Sequence, residues 1–122
     1  AAFNSCSLSP SDIGFINAHG TGTKDNDKVE SLVIGDLLPE VPFFSTKGYT
    51  GHTLGAAGAI EAALTIACLK ENKIPGSIGF MTGDDTAHVF PVTENREISC
   101  HSAISQSVAF GGNNSVLIFT KE

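Results

Sequence analysis

An α/β fold with a mixed sheet is what this sequence predicts, and three observations carry the expectation. Short apolar runs bounded by turn residues alternate with longer stretches of helical spacing, the order of a layered α/β domain. Two strand-like runs close the chain around a turn rich in Gly and Asn, which makes the last pair antiparallel. With 122 residues, 41% of them hydrophobic, the chain is long enough for one domain with a modest core and too apolar for disorder.

The first strand is expected at residues 13–17, after the turn-like Ser9-Pro10-Ser11-Asp12, so that His19 falls on the loop that follows it. Asn26 or Asp27 is placed to cap a helix over residues 28–38, with Val29, Leu32, Val33 and Leu37 on one side and Pro39 ending it. A second strand is expected at residues 42–45. Thr53 can cap the next helix, whose Ile60, Ala63, Leu64, Ala67 and Cys68 share one apolar face out to about Glu71. Its first turns, Gly55-Ala56-Ala57-Gly58-Ala59, carry almost no side-chain bulk and let another backbone pack tightly, which suits a buried central helix. Residues 73–96 weaken into irregular chain with one or two short strands, punctuated by Pro75-Gly76 and Gly83-Asp84-Asp85. Residues 103–108 and 115–119 then form a C-terminal β-hairpin.

Composition removes several classes of function. Seven Lys and Arg against thirteen Asp and Glu leave a formal charge of −6, so neither nucleic acid nor an anionic membrane surface is an expected partner. The nearly uncharged run from residue 48 to 69 is too rich in Gly, Ala, Thr and His for a membrane span. Cysteines at positions 6, 68 and 100 form no CxxC pair, and an odd count without a secretory leader suits reduced thiols in a cytoplasmic protein. His19 and His52, with neither a neighbouring Cys nor a closely spaced carboxylate, make a poor zinc set, and no metal is expected. There is no GxGxxG or Walker A pattern, so no nucleotide cofactor is expected. His88 and His101 fall outside any motif.

Three motifs remain: Asn17-Ala18-His19-Gly20-Thr21-Gly22-Thr23, Ser45-Thr46-Lys47-Gly48-Tyr49-Thr50-Gly51-His52-Thr53 running on to Gly58, and Phe110-Gly111-Gly112-Asn113-Asn114. Together they resemble the C-terminal half of a β-ketoacyl synthase, a thiolase-like enzyme that condenses an acyl thioester with malonyl carrier protein. The resemblance runs from about Cys6 to Thr120 and lies within the second of the family's two similar halves. It implies a thiolase-like fold, dimeric assembly, an acyl carrier protein as partner and no cofactor. The family's nucleophilic cysteine has no match, so the chain reads as residues 1–122 of an incomplete C-terminal domain. The nucleophile is expected on an upstream half or on a partner ketosynthase subunit. A non-catalytic subunit of the chain-length-factor type is the rival reading, against which the retained His19, Lys47 and His52 argue.

By the same resemblance His19 and His52 are neutral donors to the enolate oxygen formed when malonyl thioester loses CO₂. His52 also precedes the expected Thr53 cap, where the positive end of a helix disfavours imidazolium. Glu61 is the only charged residue between positions 48 and 69 and needs a partner if buried, for which Lys47 is the best candidate. The alternative is an exposed Lys47 with Glu61 on a polar stripe. The resemblance places both in the polar network beside the histidines. Phe110 and Gly111 match the family's acyl-binding and oxyanion segment, whose usual Ser-Phe-Gly-Phe-Gly-Gly-Thr-Asn is here Ser107-Val108-Ala109-Phe110-Gly111-Gly112-Asn113-Asn114. A plain hairpin turn is the other reading of that segment. Cys6, Cys68 and Cys100 lack the nucleophile's context and are expected to be packing residues.

Overall fold

The structure is a computed structural model that describes residues 2–83 and 85–122; Asp84, part of the expected 83–85 turn, lies outside them. A four-stranded mixed sheet has the order β2-β1-β5-β6, formed by β1 (Ile13–Asn17), β2 (Phe43–Phe44), β5 (Ser102–Ser107) and β6 (Ser115–Thr120). Both β2 and β5 run parallel to β1, while β5 and β6 form the antiparallel hairpin expected from the turn residues. A second, two-stranded sheet joins β3 (Lys73–Ile74) to β4 (Arg96–Glu97), bracketing the irregular stretch.

Helix α1 (Lys24–Leu37) covers one face of the sheet, where Ile34 and Leu38 meet Ile13, Ile16 and Ile104. On the other face Leu69 of α3 (Ala57–Glu71) packs with Phe15, Phe44, Ile74 and Ala103. Neighbouring residues Phe15 and Ile16 of β1, and Ala103 and Ile104 of β5, thus serve opposite layers, as the two-residue period of a strand requires, while a register shift between Ile13 and Phe15 returns Ile13 to the layer of Ile16.

Both helices depart from the expected detail. α1 starts at Lys24 after Thr23, four residues earlier than the predicted start, because Asn26 turns its side chain onto Glu30 and Asp27 and is not a cap. Its buried face is Glu30, Ser31 and Ile34, whereas Val29, Val33 and Leu37 are exposed. The predicted Thr53 cap fails as well, since residues Leu54–Ala56 form a 3-10 turn and α3 begins only at Ala57. The buried face of α3 is Ala57, Glu61, Thr65 and Leu69; Ala63 and Ala67 of the predicted face are exposed. In each helix polar partners inside the fold, and not side-chain hydropathy, select the rotation. A short helix, α2 (Lys47–Thr50), lies between the expected second strand and Thr53, where the sequence predicts no element.

Candidate active site

Strands β1, β2 and β5 are parallel, so their carboxyl ends lie at one edge of the sheet, where ligands of open α/β sheets are bound. His19 follows β1 by two residues, Lys47 follows β2 by three and opens α2, and His52 lies between α2 and the 3-10 turn ahead of α3. Glu61 sits one turn into α3. Asn17 sews these parts together, its Nδ2 donating to the Glu61 carbonyl and to Thr65 Oγ1, both at 3.2 Å.

His19 is 8% exposed, and its ring meets that of His52 edge-on, with centroids 5.5 Å apart and planes at 85°. The Lys47 ammonium donates to His19 Nδ1 at 3.3 Å and forms a buried ion pair with Glu61, so the Lys47–Glu61 pairing expected from the sequence is formed and the exposed alternative is excluded. Burial, followed by the Lys47 charge and then His52, lowers the His19 pKa from 6.5 to about 4, against a smaller upward pull from Asp27. His52 is exposed, and its Nδ1 accepts the Leu54 N–H at 3.2 Å. With Nδ1 of both rings engaged as an acceptor, both neutral imidazoles carry their proton on Nε2. The arrangement therefore offers two Nε2–H donors from adjoining rings. The helix-end argument for His52 does not hold, because α3 starts five residues beyond it.

Two glycines let the backbones approach. Gly20 has φ +45°, and a Cβ there would lie 2.4 Å from Ser45 Cβ. Ser45 Oγ donates to the Gly20 carbonyl at 3.0 Å and accepts the Lys47 N–H at 3.3 Å. Gly48 leaves room for Ile78, whose carbonyl oxygen a Cβ would meet at 2.4 Å. A cleft of about 760 Å³ opens beside the group, lined by Thr21, Lys24, Lys47, His52, Phe80 and Phe90 among others.

Sequence reasoning passed over Glu30, which is buried and accepts the backbone N–H groups of His19 and Gly20. No side-chain pattern in the sequence signals it, because these partners are backbone groups. Phe110 and Gly111 lie on a 3-10 turn after β5, at the same end of the sheet; Phe110 is fully exposed and Gly111 has φ +78°. Among the described residues no hydrogen bond or ring contact ties Phe110 to either histidine. Cys68 and Cys100 pack against the α3-side core, and burial pushes both thiols up, whereas Cys6 is exposed and does not pack as expected. No group of three or more metal-ligating side chains occurs among the described residues, and no helix there is long and apolar enough to cross a membrane.

A family model described as "Beta-ketoacyl synthase, C-terminal domain" matches residues 1–81. This chain belongs to the β-ketoacyl synthase family. The 3-oxoacyl-[acyl-carrier-protein] synthase 2 of Staphylococcus aureus is 36% identical over 126 residues, covering 99% of this chain and 30% of the relative. That of Coxiella burnetii is 34% identical, covering 93% and 29%. Among solved structures, a β-ketoacyl synthase from Burkholderia phymatum is 36% identical with a TM-score of 0.92, over 99% of this chain and 30% of that one. A ketosynthase in complex with its chain length factor from Xenorhabdus doucetiae is 41% identical with a TM-score of 0.88, over 99% and 31%. The fold is thus that of thiolase-like ketosynthases. The chain spans about 30% of the length of the curated relatives it matches.

Proposed function

We propose that this chain forms the C-terminal part of a β-ketoacyl-[acyl carrier protein] synthase, an acyltransferase of fatty-acid or polyketide synthesis. The observation that carries the proposal is the edge-on His19–His52 pair, with both Nδ1 atoms occupied and both Nε2–H groups left as donors. Two such donors suit the enolate oxygen left when the malonyl thioester C–C bond breaks and CO₂ departs. The enolate carbon then attacks the carbonyl of an acyl thioester on a cysteine; the new C–C bond forms as the thiolate leaves. Neutral rings serve here because a cation in this pocket would be poorly solvated.

Lys47, paired with Glu61, holds the His19 ring and its tautomer; it is not a Schiff-base nucleophile, since both its contacts are committed to the network. Phe110 and Gly111 would complete the acyl pocket against the rest of the synthase. The nucleophilic cysteine lies outside this chain, a reading supported by the raised Cys68 and Cys100 thiols, which disfavour thiolate. An acyl carrier protein delivers the substrate, the remaining half or a ketosynthase partner completes a homo- or heterodimer, and the reduced thiols suit the cytoplasm. No cofactor is needed for this chemistry. The intact His19–Lys47–Glu61 network speaks for the catalytic reading over the chain-length-factor one.

In the complete synthase, His19→Ala or His52→Ala should slow decarboxylation of labelled malonyl carrier protein by about 10²–10³-fold each, with folding retained. Near-normal turnover of both variants would remove the enolate assignment.

A further inference from the structure

Helix α2 is a single turn, Lys47–Thr50, and a lone turn of that length has no stability of its own in water. Its N-cap, Thr46, makes no side-chain capping bond. Bonds to the rest of the fold must therefore fix the position of Lys47, whose ammonium reaches both His19 Nδ1 and Glu61. One of them lies at the start of the turn, where the Lys47 N–H donates to Ser45 Oγ at 3.3 Å. Another is made by Tyr49, two residues on, whose hydroxyl donates to the Gly76 carbonyl at 2.7 Å. Tyr49 is 54% exposed, so its ring gains little by burial and the hydroxyl is what ties it down.

Gly76 is a firm anchor. Its N–H donates to Asn95 Oδ1 at 3.0 Å, and a Cβ there would lie 2.4 Å from the Thr93 carbonyl oxygen. The next residue, Ser77, donates its N–H to the Val92 carbonyl at 2.7 Å, and its Oγ accepts the Ser45 N–H at 3.1 Å. The two stretches are thus fastened at both ends, Ser45 on Ser77 and Tyr49 on Gly76, with Lys47 midway between the fastenings.

We infer that Tyr49 is a positioning residue for Lys47: its hydroxyl, held on the Gly76 carbonyl, fixes the turn from which the ammonium reaches His19. The inference rests on His19 acting as an enolate donor. Without the hydroxyl one fastening is open, α2 loosens, and the ammonium spends less time on His19 Nδ1, which frees the ring to rotate and to take the other tautomer.

The test uses the complete synthase with Tyr49→Phe, which removes one oxygen and keeps the ring, beside His19→Ala and Lys121→Met. Lys121 donates to the Leu69 carbonyl at 3.2 Å and to Asn72 Oδ1 at the far end of α3, so its variant loses hydrogen bonds without touching α2. Tyr49→Phe should lower kcat for malonyl decarboxylation about tenfold, with KM changed less than about threefold. In an NMR titration the His19 ring, held at about 4 by burial and then by the Lys47 charge, should move its midpoint up toward 6.5, because a displaced ammonium repels the imidazolium less. Lys121→Met should lose melting temperature and keep the wild-type kcat and His19 midpoint.

Wild-type kcat in Tyr49→Phe, beside a collapsed His19→Ala, would overturn the inference while sparing the functional reading. So would an unmoved His19 midpoint, since Lys47 would then hold its place without the hydroxyl. Equal changes of kcat and midpoint in Lys121→Met would overturn it as well, leaving Tyr49 one structural bond among others. Near-normal His19→Ala would bring down the functional reading and the inference with it.

Discussion

His19 is held neutral by its surroundings, and that has a consequence in pH. Its folded pKa of about 4 lies below the unfolded 6.5, so between these values the unfolded chain binds protons that the folded chain refuses. Its contribution to stability is therefore complete above pH 6.5 and is lost as pH falls through about 4. Glu30 acts with the opposite sign: desolvation outweighs its N–H bonds and raises the carboxyl, so its contribution is present at low pH and lost as pH rises. The difference between wild type and His19→Gln isolates the histidine. Denaturant midpoints of the two should converge as the pH is lowered across this window, and an NMR titration of the His19 ring should show a midpoint well below 6.5. Parallel midpoints at every pH would show that His19 titrates as if in water. Glu61 is tested by contrast with exposed Glu71 on the same helix. Glu61→Ala strands the buried Lys47 charge and should cost about 3–5 kcal/mol, whereas Glu71→Ala should leave melting temperature and turnover nearly unchanged. Equal melting temperatures for the two would refute the buried pair.

Among the elements, α2 bears on the site out of proportion to its four residues. It carries Lys47, and it fits against the segment after β3 because Gly48 has no side chain where Ile78 passes. Tyr49 fastens the same turn, its hydroxyl donating to the Gly76 carbonyl at 2.7 Å. Gly48→Ala places a Cβ 2.3 Å from Ile78 Cγ2 and 2.4 Å from its backbone oxygen, and a backbone cannot step aside as a flexible side chain can. The expected outcome is a loss of about 1–3 kcal/mol by overpacking, together with lower decarboxylation as Lys47 shifts. Gly55→Ala, whose Cβ would meet open space, is the control and should melt with wild type. Equal stability of both variants would mean that α2 floats free of Ile78.

At the scale of the whole chain, α1 leaves Val29, Val33 and Leu37 exposed at intervals of four residues, and Leu54, Met81, Phe110, Val116 and Leu117 are exposed elsewhere. Large apolar side chains left in water favour association. The purified 122-residue chain should therefore self-associate in sedimentation velocity despite its charge of −6, and it should take up no acyl group from an acyl carrier protein thioester. Intact mass measurement checks the second point. An adduct mapped to Cys6, Cys68 or Cys100 would place the nucleophile within this chain after all, and a monodisperse monomer would show that the exposed residues need no cover.

The strands, the C-terminal hairpin and the glycine-flanked histidines were legible in the sequence because each rests on local chemistry. Alternation marks a strand, Gly and Asn permit the turns, and a lone charge in an apolar run, Glu61, announces its need of a partner. The rotation of both long helices was not legible. Apolar spacing selects one face of α1, but Glu30 turns inward because its partners are backbone N–H groups, which no side-chain pattern records, and because Gln106 arrives from 76 residues away. α3 likewise offers apolar residues on several sides, and Asn17 and Lys47 decide which side faces in. The residue types able to do the chemistry were determined by the sequence alone. Their protonation and tautomers were decided only by tertiary structure, because both depend on burial and on hydrogen bonds between distant parts of the chain.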